Sequence, residues 1–258
     1  LPPEAGVRVH SLPHVSAAHA RNHALRHSPT PWLAFSDTDC LLGPDYFAAL
    51  PGIPARYPGA VAVEGAIRMP GPKPPFTHSL ANSAGGTFAT ANMVFHVASV
   101  LALGGFDEGF PANLREDTDL ALTILERAGR IPFCRDLAVE HPHLPRALVP
   151  SLARAFAHQR RVIDAELRLF EKHPLGYRRV RSHAHVRGTL RAWCVNYTGR
   201  FLRQALTYTV AAPGLSTGER IRGLVPAAEE VLVAAWEQAC IGVICLARWR
   251  RLTRLGSS

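Results

Sequence analysis

The feature that most constrains the fold is a short apolar run that leads directly into two aspartates. The run Trp32–Phe35 is followed within two residues by Asp37, and Asp39 comes next but one. An unbroken apolar run of this length predicts a parallel strand buried on both faces. Ligands of open α/β sheets bind beyond the carboxyl ends of such strands, and two neighbouring carboxylates can share a divalent cation. The stretch predicts a metal-diphosphate site, although an isolated D-x-D pair more often lies in a solvated turn.

Patterns on both sides of this strand predict an α/β arrangement. Gly6–Leu12 alternates like a strand, and Ser16 is suited to cap a helix that continues to Leu25. Strand, helix and strand with short connections form a βαβ unit, whose right-handed crossover makes the two strands parallel. A helix that begins at Pro44 and a strand over Gly59–Ile67 are expected next.

The central part of the chain predicts a loop, a strand and a short helix. Residues 70–86 are rich in Pro, Gly and Ser, as in loops that cover active sites. A strand is expected over Thr87–His96 and a helix over Val97–Leu103. Short strand-like pieces at 131–133 and 137–139 lead to His141, and a histidine at a strand end is more often structural or solvated than functional.

Three carboxylates, Glu116, Asp117 and Asp119, fall in the first turn of a further helix that should end at Gly129. Acidic residues at this position interact favourably with the helix dipole, each by about 0.3–1 kcal/mol. The same position is expected to hold the pKa of a carboxylate down, so that it stays ionised as a base at neutral pH. The pattern alone is compatible with either role.

The distribution of charge separates the chain into two parts. Residues 1–145 carry 10 basic and 13 acidic residues, whereas residues 146–258 carry 19 and 7, so the net charges are −3 and +12. The second part is therefore the candidate for an anionic partner, for which we expect a membrane surface and no nucleic acid. An arginine-rich bias of the genome explains the same charge equally well.

Cysteine usage and hydropathy indicate a cytoplasmic protein, and peripheral association with the cytoplasmic membrane stays open. The five cysteines are scattered without a C-x-x-C pair, as expected for reduced thiols. The longest apolar stretch, Val231–Ala247, is interrupted by Glu237 and is shorter than the roughly 20 residues that span a bilayer.

The basic part is expected to be helical. Apolar residues recur at helical spacing over Pro150–His173, with Ser151 as cap and Pro174 as stop, which predicts a helix that packs against the sheet. Further helices are expected over 182–197, 201–211 and 227–251. The helix over 227–251 is compatible with two roles. It could lie in a membrane interface, or it could pack against the protein with its basic end favourably placed at the helix C-terminus. We expect a core at residues 1–147 and a helical extension at residues 148–258.

Six short motifs occur in an order that resembles family 2 glycosyltransferases of the GT-A fold. They are A-R-N-H-A-L at 20–25, L-A-F-S-D-T-D-C at 33–40, T-A-N-M at 90–93, G-G-F-D-E at 104–108, R-E-D-T-D-L at 115–120 and A-V-E-H at 138–141. The resemblance implies an α/β fold with a GT-A-like, Rossmann-related mixed sheet flanked by helices. It also implies a metal-dependent, inverting transfer of a sugar from a nucleotide-diphosphate sugar to a hydroxyl of a glycan or lipid-linked acceptor.

The resemblance further implies roles for the acidic residues. Asp37 and Asp39 match the D-x-D pair that holds Mn²⁺ or Mg²⁺ against the donor diphosphate, with Asp39 the more direct ligand and Asp37 nearer the ribose. His141 matches the histidine that completes the metal or diphosphate site. Asp117 matches the catalytic base, and Glu116 is implied to orient the acceptor.

Other matched positions are implied to bind the donor. Arg21 and Asn22 match a segment beside the nucleotide, and residues 86–92, with Gly86 and Asn92, are implied to line the donor sugar pocket. The first strand and helix of relatives, which carry the nucleotide-base pocket, have no match here. The chain is therefore expected to correspond to the latter part of the domain, with one sheet edge open.

Two alternatives remain beside the glycosyltransferase. A non-catalytic remnant or binding subunit would keep the metal-diphosphate site without turnover. A phosphatase of the haloacid dehalogenase kind also opens with an apolar strand that leads into D-T-D. It ranks last because no matching Lys or paired-Asp motif follows Leu41.

Overall fold

A computed structural model describes residues 8–13, 15–71, 77–78, 80–111, 113–145 and 152–180, and every structural statement below refers to them. The expected helices over 182–197, 201–211 and 227–251, and with them the membrane-interface segment, lie outside the described residues. The strands are β1 (Trp32–Ser36), β2 (Leu41–Leu42), β3 (Ala62–Arg68), β4 (Thr77–His78), β5 (Asn92–His96), β6 (Phe133–Glu140) and β7 (Leu144–Pro145). The helices are α1 (Ala17–Arg26), α2 (Pro44–Ala49), α3 (Ile53–Arg56), α4 (Val97–Ala102), α5 (Glu116–Ala128), α6 (Leu152–Lys172) and α7 (Pro174–Val180).

Five strands form one mixed sheet in the order β1-β5-β3-β6-β2. Strand β5 is antiparallel to both β1 and β3, β6 is parallel to β3, and β2 is antiparallel to β6. Strands β1, β3 and β6 therefore point the same way, and their carboxyl ends share one edge of the sheet with the start of β5. The predicted α/β class, a mixed sheet flanked by helices, is confirmed.

Alternating side chains of the strands build a hydrophobic core on each face of the sheet. On one face, Val63 and Val94 pack with Tyr46 of α2 and Ile53 of α3. On the other face, the core contains residues of β3 and β5 together with residues of α1, α4 and α5. These are Ala18, Leu25, Ala62, Met93, Phe95, Val100, Leu120 and Ile124. Because side chains of a strand alternate between faces, consecutive apolar residues such as Ala62 and Val63 stabilise both layers.

Local signals placed several helix ends correctly. Ser16 caps α1, and its hydroxyl oxygen accepts a hydrogen bond from His19 N at 3.2 Å. Helix α2 begins at Pro44, and α5 begins at Glu116 and has Gly129 as its C-cap. Each of these signals acts within one helical turn, which is why sequence alone could identify it.

The strand expected before α1 is absent from the described residues. Residues 8–13 have no regular structure, and β1 pairs only with antiparallel β5 within the described sheet. The prediction of a βαβ unit with β1 as a fully buried parallel strand is therefore wrong for the described residues. The ring of His10 instead lies beside His23 of α1, with the ring centroids 5.0 Å apart. Alternation in the sequence cannot form a strand without a pairing partner.

Two further expectations are corrected. Residues 87–91 are not part of β5, which begins at Asn92. The described side chains of α6 pack on α5 and α7, through a third cluster that includes Leu122, Leu169 and Tyr177, and packing of α6 against the sheet stays a prediction. Pro174 ends α6 as expected but is also the first residue of α7. No helix among the described residues has the length and apolar composition that a bilayer crossing requires.

Candidate metal and substrate site

The two aspartates that follow β1 lie in one tight turn. Cys40 N donates a hydrogen bond to the carbonyl oxygen of Asp37 at 3.1 Å, which closes the turn around Asp39. Asp37 is exposed and Asp39 is half-buried. The turn places both carboxylates at the carboxyl edge of the sheet, where the sequence predicted a cation site.

His141 reaches the same edge from the end of β6. Its backbone N donates to Arg68 O at 2.8 Å, and its Nδ1 lies 2.9 Å from Pro142 O. A carbonyl oxygen only accepts, so Nδ1 carries the proton, and in the neutral ring Nε2 keeps its lone pair. This Nε2 lies 3.7 Å from Oδ2 of Asp39. The ring is therefore oriented as in metal-binding histidines, whose other nitrogen is commonly held by a carbonyl or carboxylate.

The three side chains can hold one divalent metal. One ligand atom from each of Asp37, Asp39 and His141 lies within 4.8 Å of the other two. Oxygen ligands lie about 2.0–2.1 Å from Mg²⁺, so atoms on opposite sides of one ion are about 4 Å apart, and only a small contraction would be needed. Carboxylates suit Mg²⁺ and Mn²⁺, whereas imidazole is preferred by transition metals. The donor set therefore fits a divalent ion such as Mn²⁺ or Mg²⁺.

A buried ion pair joins α1 to the start of α5 beside this cluster. Arg21 donates from a terminal guanidinium nitrogen to Oε1 of Glu116 at 2.5 Å, and the guanidinium lies 5.6 Å from the ring centroid of Phe106. The second oxygen of Glu116, Oε2, is buried and has no hydrogen-bond partner among the described residues. The carboxylate implied to orient the acceptor is thus held by Arg21 and has one uncommitted oxygen.

The pKa of Asp37 reflects this surrounding charge. Loss of hydration raises the pKa of Asp37, Arg21 opposes the rise, and the carboxylate of Asp39 adds to it. Glu116 also raises this pKa, which shows that it acts on the Asp37 carboxylate across the site. Several acidic groups facing one arginine leave an excess of negative charge that a divalent cation would offset.

Asp117 lies next to Glu116 in the first turn of α5. Its Oδ1 accepts hydrogen bonds from Thr118 N at 2.6 Å and Thr118 Oγ1 at 3.2 Å. Burial and the neighbouring Glu116 nevertheless raise the pKa of Asp117, in that order of size. The expectation that the helix N-terminus would lower this pKa is therefore wrong, because desolvation and like charge outweigh the hydrogen bonds. A raised pKa brings a carboxylate closer to the range that suits a general base.

Asn22 is engaged by the backbone of the G-G-F-D-E segment. Its Oδ1 accepts from Phe106 N and its Nδ2 donates to Phe106 O, both at 2.8 Å, and Nδ2 also donates to Glu108. A Cβ on Gly105 would lie 2.6 Å from Oδ1 of Asn22, so glycine is needed for this close approach. The amide implied to contact the nucleotide thus links α1 to residues 105–108.

Asn92 is completely buried at the start of β5. Its Nδ2 donates to Ala66 O at 2.8 Å and to Leu137 O at 2.9 Å, where the register of β3 and β6 shifts. Gly65 leaves room for this side chain, since a Cβ there would lie 2.3 Å from Nδ2. The side-chain amide of Asn92, which the resemblance implies to bind the donor, thus donates to backbone carbonyls of β3 and β6 at their irregular pairing. Asn92 has no surface exposed to solvent.

Gly86 lies in an exposed loop between β4 and β5, and its amide points inward. Gly86 N donates to Oε2 of Glu64 at 2.7 Å, while Thr87 N and Phe88 N donate to Oε1 of Glu64 at 3.0 and 2.6 Å. Glu64 is 1% exposed in the middle of β3. Glu64 is not among the residues predicted from the sequence, although an acid inside an apolar strand is an unusual pattern that could have identified it.

Fold and site together define a mixed α/β protein with a candidate divalent-metal site at the carboxyl edge of its sheet. No protein-family model matches the chain, and no curated protein matches it. The solved structures to which the chain is similar include the mannosyltransferase PcManGT from Pyrobaculum calidifontis in complex with GDP-Man and Mn²⁺, with a TM-score of 0.43 and 17% sequence identity. That match covers 90% of this chain, but this chain spans only 66% of PcManGT.

Proposed function

We propose that the protein is a metal-dependent glycosyltransferase that transfers a sugar from a nucleotide-diphosphate sugar to an acceptor hydroxyl with inversion. The observation that supports this best is the convergence of Asp37, Asp39 and His141 at the edge of the sheet that also faces Glu116. The order of the six motifs points to the same reaction.

The three candidate ligands have separate tasks in this proposal. A divalent ion bound by them would stabilise negative charge on the departing diphosphate. Asp39, facing Nε2 of His141, is the more direct ligand. Asp37 is exposed and lies nearer the nucleotide ribose. Arg21, which acts on the pKa of Asp37, adds positive charge beside the diphosphate.

The acceptor is activated by residues at the start of α5. Asp117 removes the proton from the acceptor hydroxyl as that oxygen attacks the sugar, and proton transfer of this kind typically contributes 10²–10⁴ in rate. Arg21 holds Glu116, which in this proposal orients the acceptor. Metal and base on opposite sides of the sugar fit a single displacement, which inverts the anomeric centre.

Two substitutions separate donor binding from transfer. Asp39→Ala should remove Mn²⁺-dependent binding of GDP or UDP, measured by calorimetry. Asp117→Asn should leave that binding within about twofold and lower transfer by about 10²–10⁴. Unchanged nucleotide affinity in Asp39→Ala would exclude its role as a ligand. Equal loss of binding in Asp117→Asn would exclude its role as a base, and nucleotide binding without turnover in the unaltered chain would favour a binding subunit.

The acceptor side of the proposal extends to the basic part of the chain. Residues 146–258 carry a net charge of +12, which would draw this part to an anionic membrane surface that presents a lipid-linked acceptor. We keep the division into a core at 1–147 and an extension at 148–258 as part of this proposal. Flotation with anionic and neutral liposomes tests the attraction to an anionic membrane. Equal binding of the protein to the two kinds of liposome would contradict that attraction.

A further inference from the structure

Three histidine rings converge on the outer side of α1, and we call them the histidine cluster. His23 and His27 lie about one helical turn apart, and their rings stack with the centroids 4.0 Å apart. The ring of His10, from the segment before α1, lies 5.0 Å from that of His23 and 5.9 Å from that of His27, measured between centroids. Positions 21 and 23 differ by about 200° around a helix, so the cluster and Arg21 lie on opposite sides of α1. The cluster is therefore separate from the candidate metal site that Arg21 faces.

The hydrogen bonds of the cluster leave lone pairs on its rings. Nδ1 of His10 lies 2.9 Å from Nε2 of His23, and two neutral imidazole nitrogens at this distance share one proton. Nδ1 of His27 lies 2.8 Å from His23 O, which can only accept, so this nitrogen carries the proton and Nε2 keeps its lone pair. A backbone carbonyl commonly orients a metal-binding histidine in this way.

The spacing of the rings fits a transition-metal ion. Zn²⁺ binds imidazole nitrogens at about 2.0–2.1 Å, so two rings on one tetrahedral ion have their nitrogens about 3.4 Å apart and their centroids about 5 Å apart. The centroid distances of the cluster, 4.0, 5.0 and 5.9 Å, lie on both sides of that value. As the rings stand, they do not bring one nitrogen each within 4.8 Å of the other two, so the rings would have to turn in place to share an ion.

Sequence spacing supports the same chemistry. Two histidines four positions apart on one face of a helix are the pair that binds zinc in H-E-x-x-H helices. His23 and His27 have this spacing within α1. His10 supplies a third imidazole from outside the helix, and three protein ligands with water in the fourth position form a common zinc site.

The surrounding charge restricts which cations the cluster can bind. Loss of hydration lowers the pKa of His23, and the charges of His27, His10, Arg26 and His19 lower it further. A ring that is unprotonated at neutral pH can offer its lone pair to a metal. The positive charge of Arg26 works against any cation, so binding has to come from bonds between imidazole and metal. Such bonds suit Zn²⁺, Cu²⁺ or Ni²⁺ and not Mg²⁺ or Ca²⁺.

We propose that His10, His23 and His27 form a second metal site, which takes a transition-metal ion such as Zn²⁺ and fastens residues 8–13 to α1. Residues 8–13 have no regular structure of their own. An ion that binds only when His10 lies against α1 stabilises that arrangement. This inference does not depend on the proposed function.

Titration with Zn²⁺ alone tests the site in a chain that carries Asp39→Ala, which removes a ligand of the acidic site. Added to this chain, His10→Gln and His23→Gln should each lower the Zn²⁺ affinity measured by calorimetry at least tenfold, since even weakening the support of a ligand commonly costs 10–100-fold. His143→Gln in the same background is the matched control and should stay within about twofold, because His143 contacts Pro70 O outside the cluster.

Equal Zn²⁺ affinities in His23→Gln and His143→Gln would overturn the site, as would a failure of the Asp39→Ala chain to bind Zn²⁺. No nucleotide enters this measurement, so a failure of the proposed function would leave its result unchanged.

Hydrogen exchange gives an independent measurement on the otherwise unaltered chain. Zn²⁺ should slow the exchange of the backbone amides of residues 8–13, and His23→Gln should abolish this slowing. Mg²⁺ at the same concentration should have no such effect. Exchange that Zn²⁺ leaves unchanged, or slows equally in His23→Gln, would contradict the attachment of this segment to α1.

Discussion

The Nε2 atom of His141 lies 3.7 Å from Oδ2 of Asp39, although the two residues are about a hundred positions apart in the chain. The proton on Nδ1 is held by Pro142 O, so the ring offers its lone pair towards the carboxylate.

Replacing His141 by alanine should lower Mn²⁺ affinity at least tenfold, since even weakening the support of a ligand commonly costs 10–100-fold. Calorimetric titration with Mn²⁺ measures this. His143→Ala is the control, because His143 contacts Pro70 O and is not in the cluster. Equal affinities in the two variants would remove His141 from the ligand set.

Transfer should lose activity at acidic pH because Asp117 becomes protonated. This loss should begin at a higher pH than the ordinary pKa of an aspartate would give. Burial and Glu116 raise its pKa, and a base must be ionised to accept a proton. We expect kcat/KM to fall as the pH is lowered through this raised pKa. The pH profile of kcat/KM for transfer measures it, and an acid limb at the ordinary aspartate pKa would contradict the assignment.

Asp117→Asn should also stabilise the fold. An acid whose folded pKa is raised favours the folded state when protonated, and this contribution is lost as the pH rises through the folded value. At neutral pH the ionised group therefore opposes folding, and an asparagine Oδ1 can still accept from Thr118 N. We expect the free energy of unfolding to rise by about 0.5–2 kcal/mol, the usual size of a stabilising substitution. Urea denaturation at pH 7 measures it, and the gain should shrink at acidic pH. A loss of stability at pH 7 would show that ionised Asp117 is favourable in the fold.

His173 should make stability depend on pH in the opposite sense. Its Nε2 lies 2.9 Å from Asp119 Oδ1 and its Nδ1 lies 2.8 Å from Glu126 Oε2, and both nitrogens can donate to these carboxylates when the ring is protonated. The Nζ atom of Lys172 also lies 2.7 Å from Oδ1 of Asp119. Burial lowers the pKa of His173, but the bonds to Asp119 and Glu126 prevail and the pKa is raised.

The stability from His173 is fully present below the unfolded pKa of about 6.5 and is lost as the pH rises through the higher folded value. His173→Gln should cost about 1–3 kcal/mol at pH 6 and less at higher pH, because it leaves a buried carboxylate poorly paired. Urea denaturation across this pH range measures both effects. His27→Gln, at an exposed position, is the control. An equal cost at both ends of the range would contradict a titration of His173 within it.

Gly65→Ala should destabilise the sheet. The added Cβ would lie 2.3 Å from Nδ2 of Asn92, which is held on both sides by backbone carbonyls and cannot move without losing those bonds. Overpacking of this kind typically costs about 1–3 kcal/mol. Gly52→Ala is the matched control, since a Cβ there meets nothing within 4 Å and φ is −79°. Thermal unfolding compares them, and similar melting temperatures would show that Asn92 yields easily.

Features that depend on a few neighbouring residues could be predicted from the amino-acid sequence. Ser16, Pro44 and Gly129 set helix ends, because capping and a fixed φ act within one turn. The apolar run before Asp37 became β1 because its side chains reach both cores of the sheet. The resemblance in motif order then indicated which distant residues should meet at one edge.

The contacts of those residues became visible only in the folded chain. Asn22 and Asn92 look alike in the sequence analysis as donor contacts, yet both amides are engaged by the backbone of other segments. Glu64 lies in an apolar strand, and its four donors come from residues 18 to 24 positions later. The raised pKa of Asp117 depends on burial by elements far away in the chain. Hydrogen bonding and desolvation are set by which segments pack together, and no local pattern carries that information.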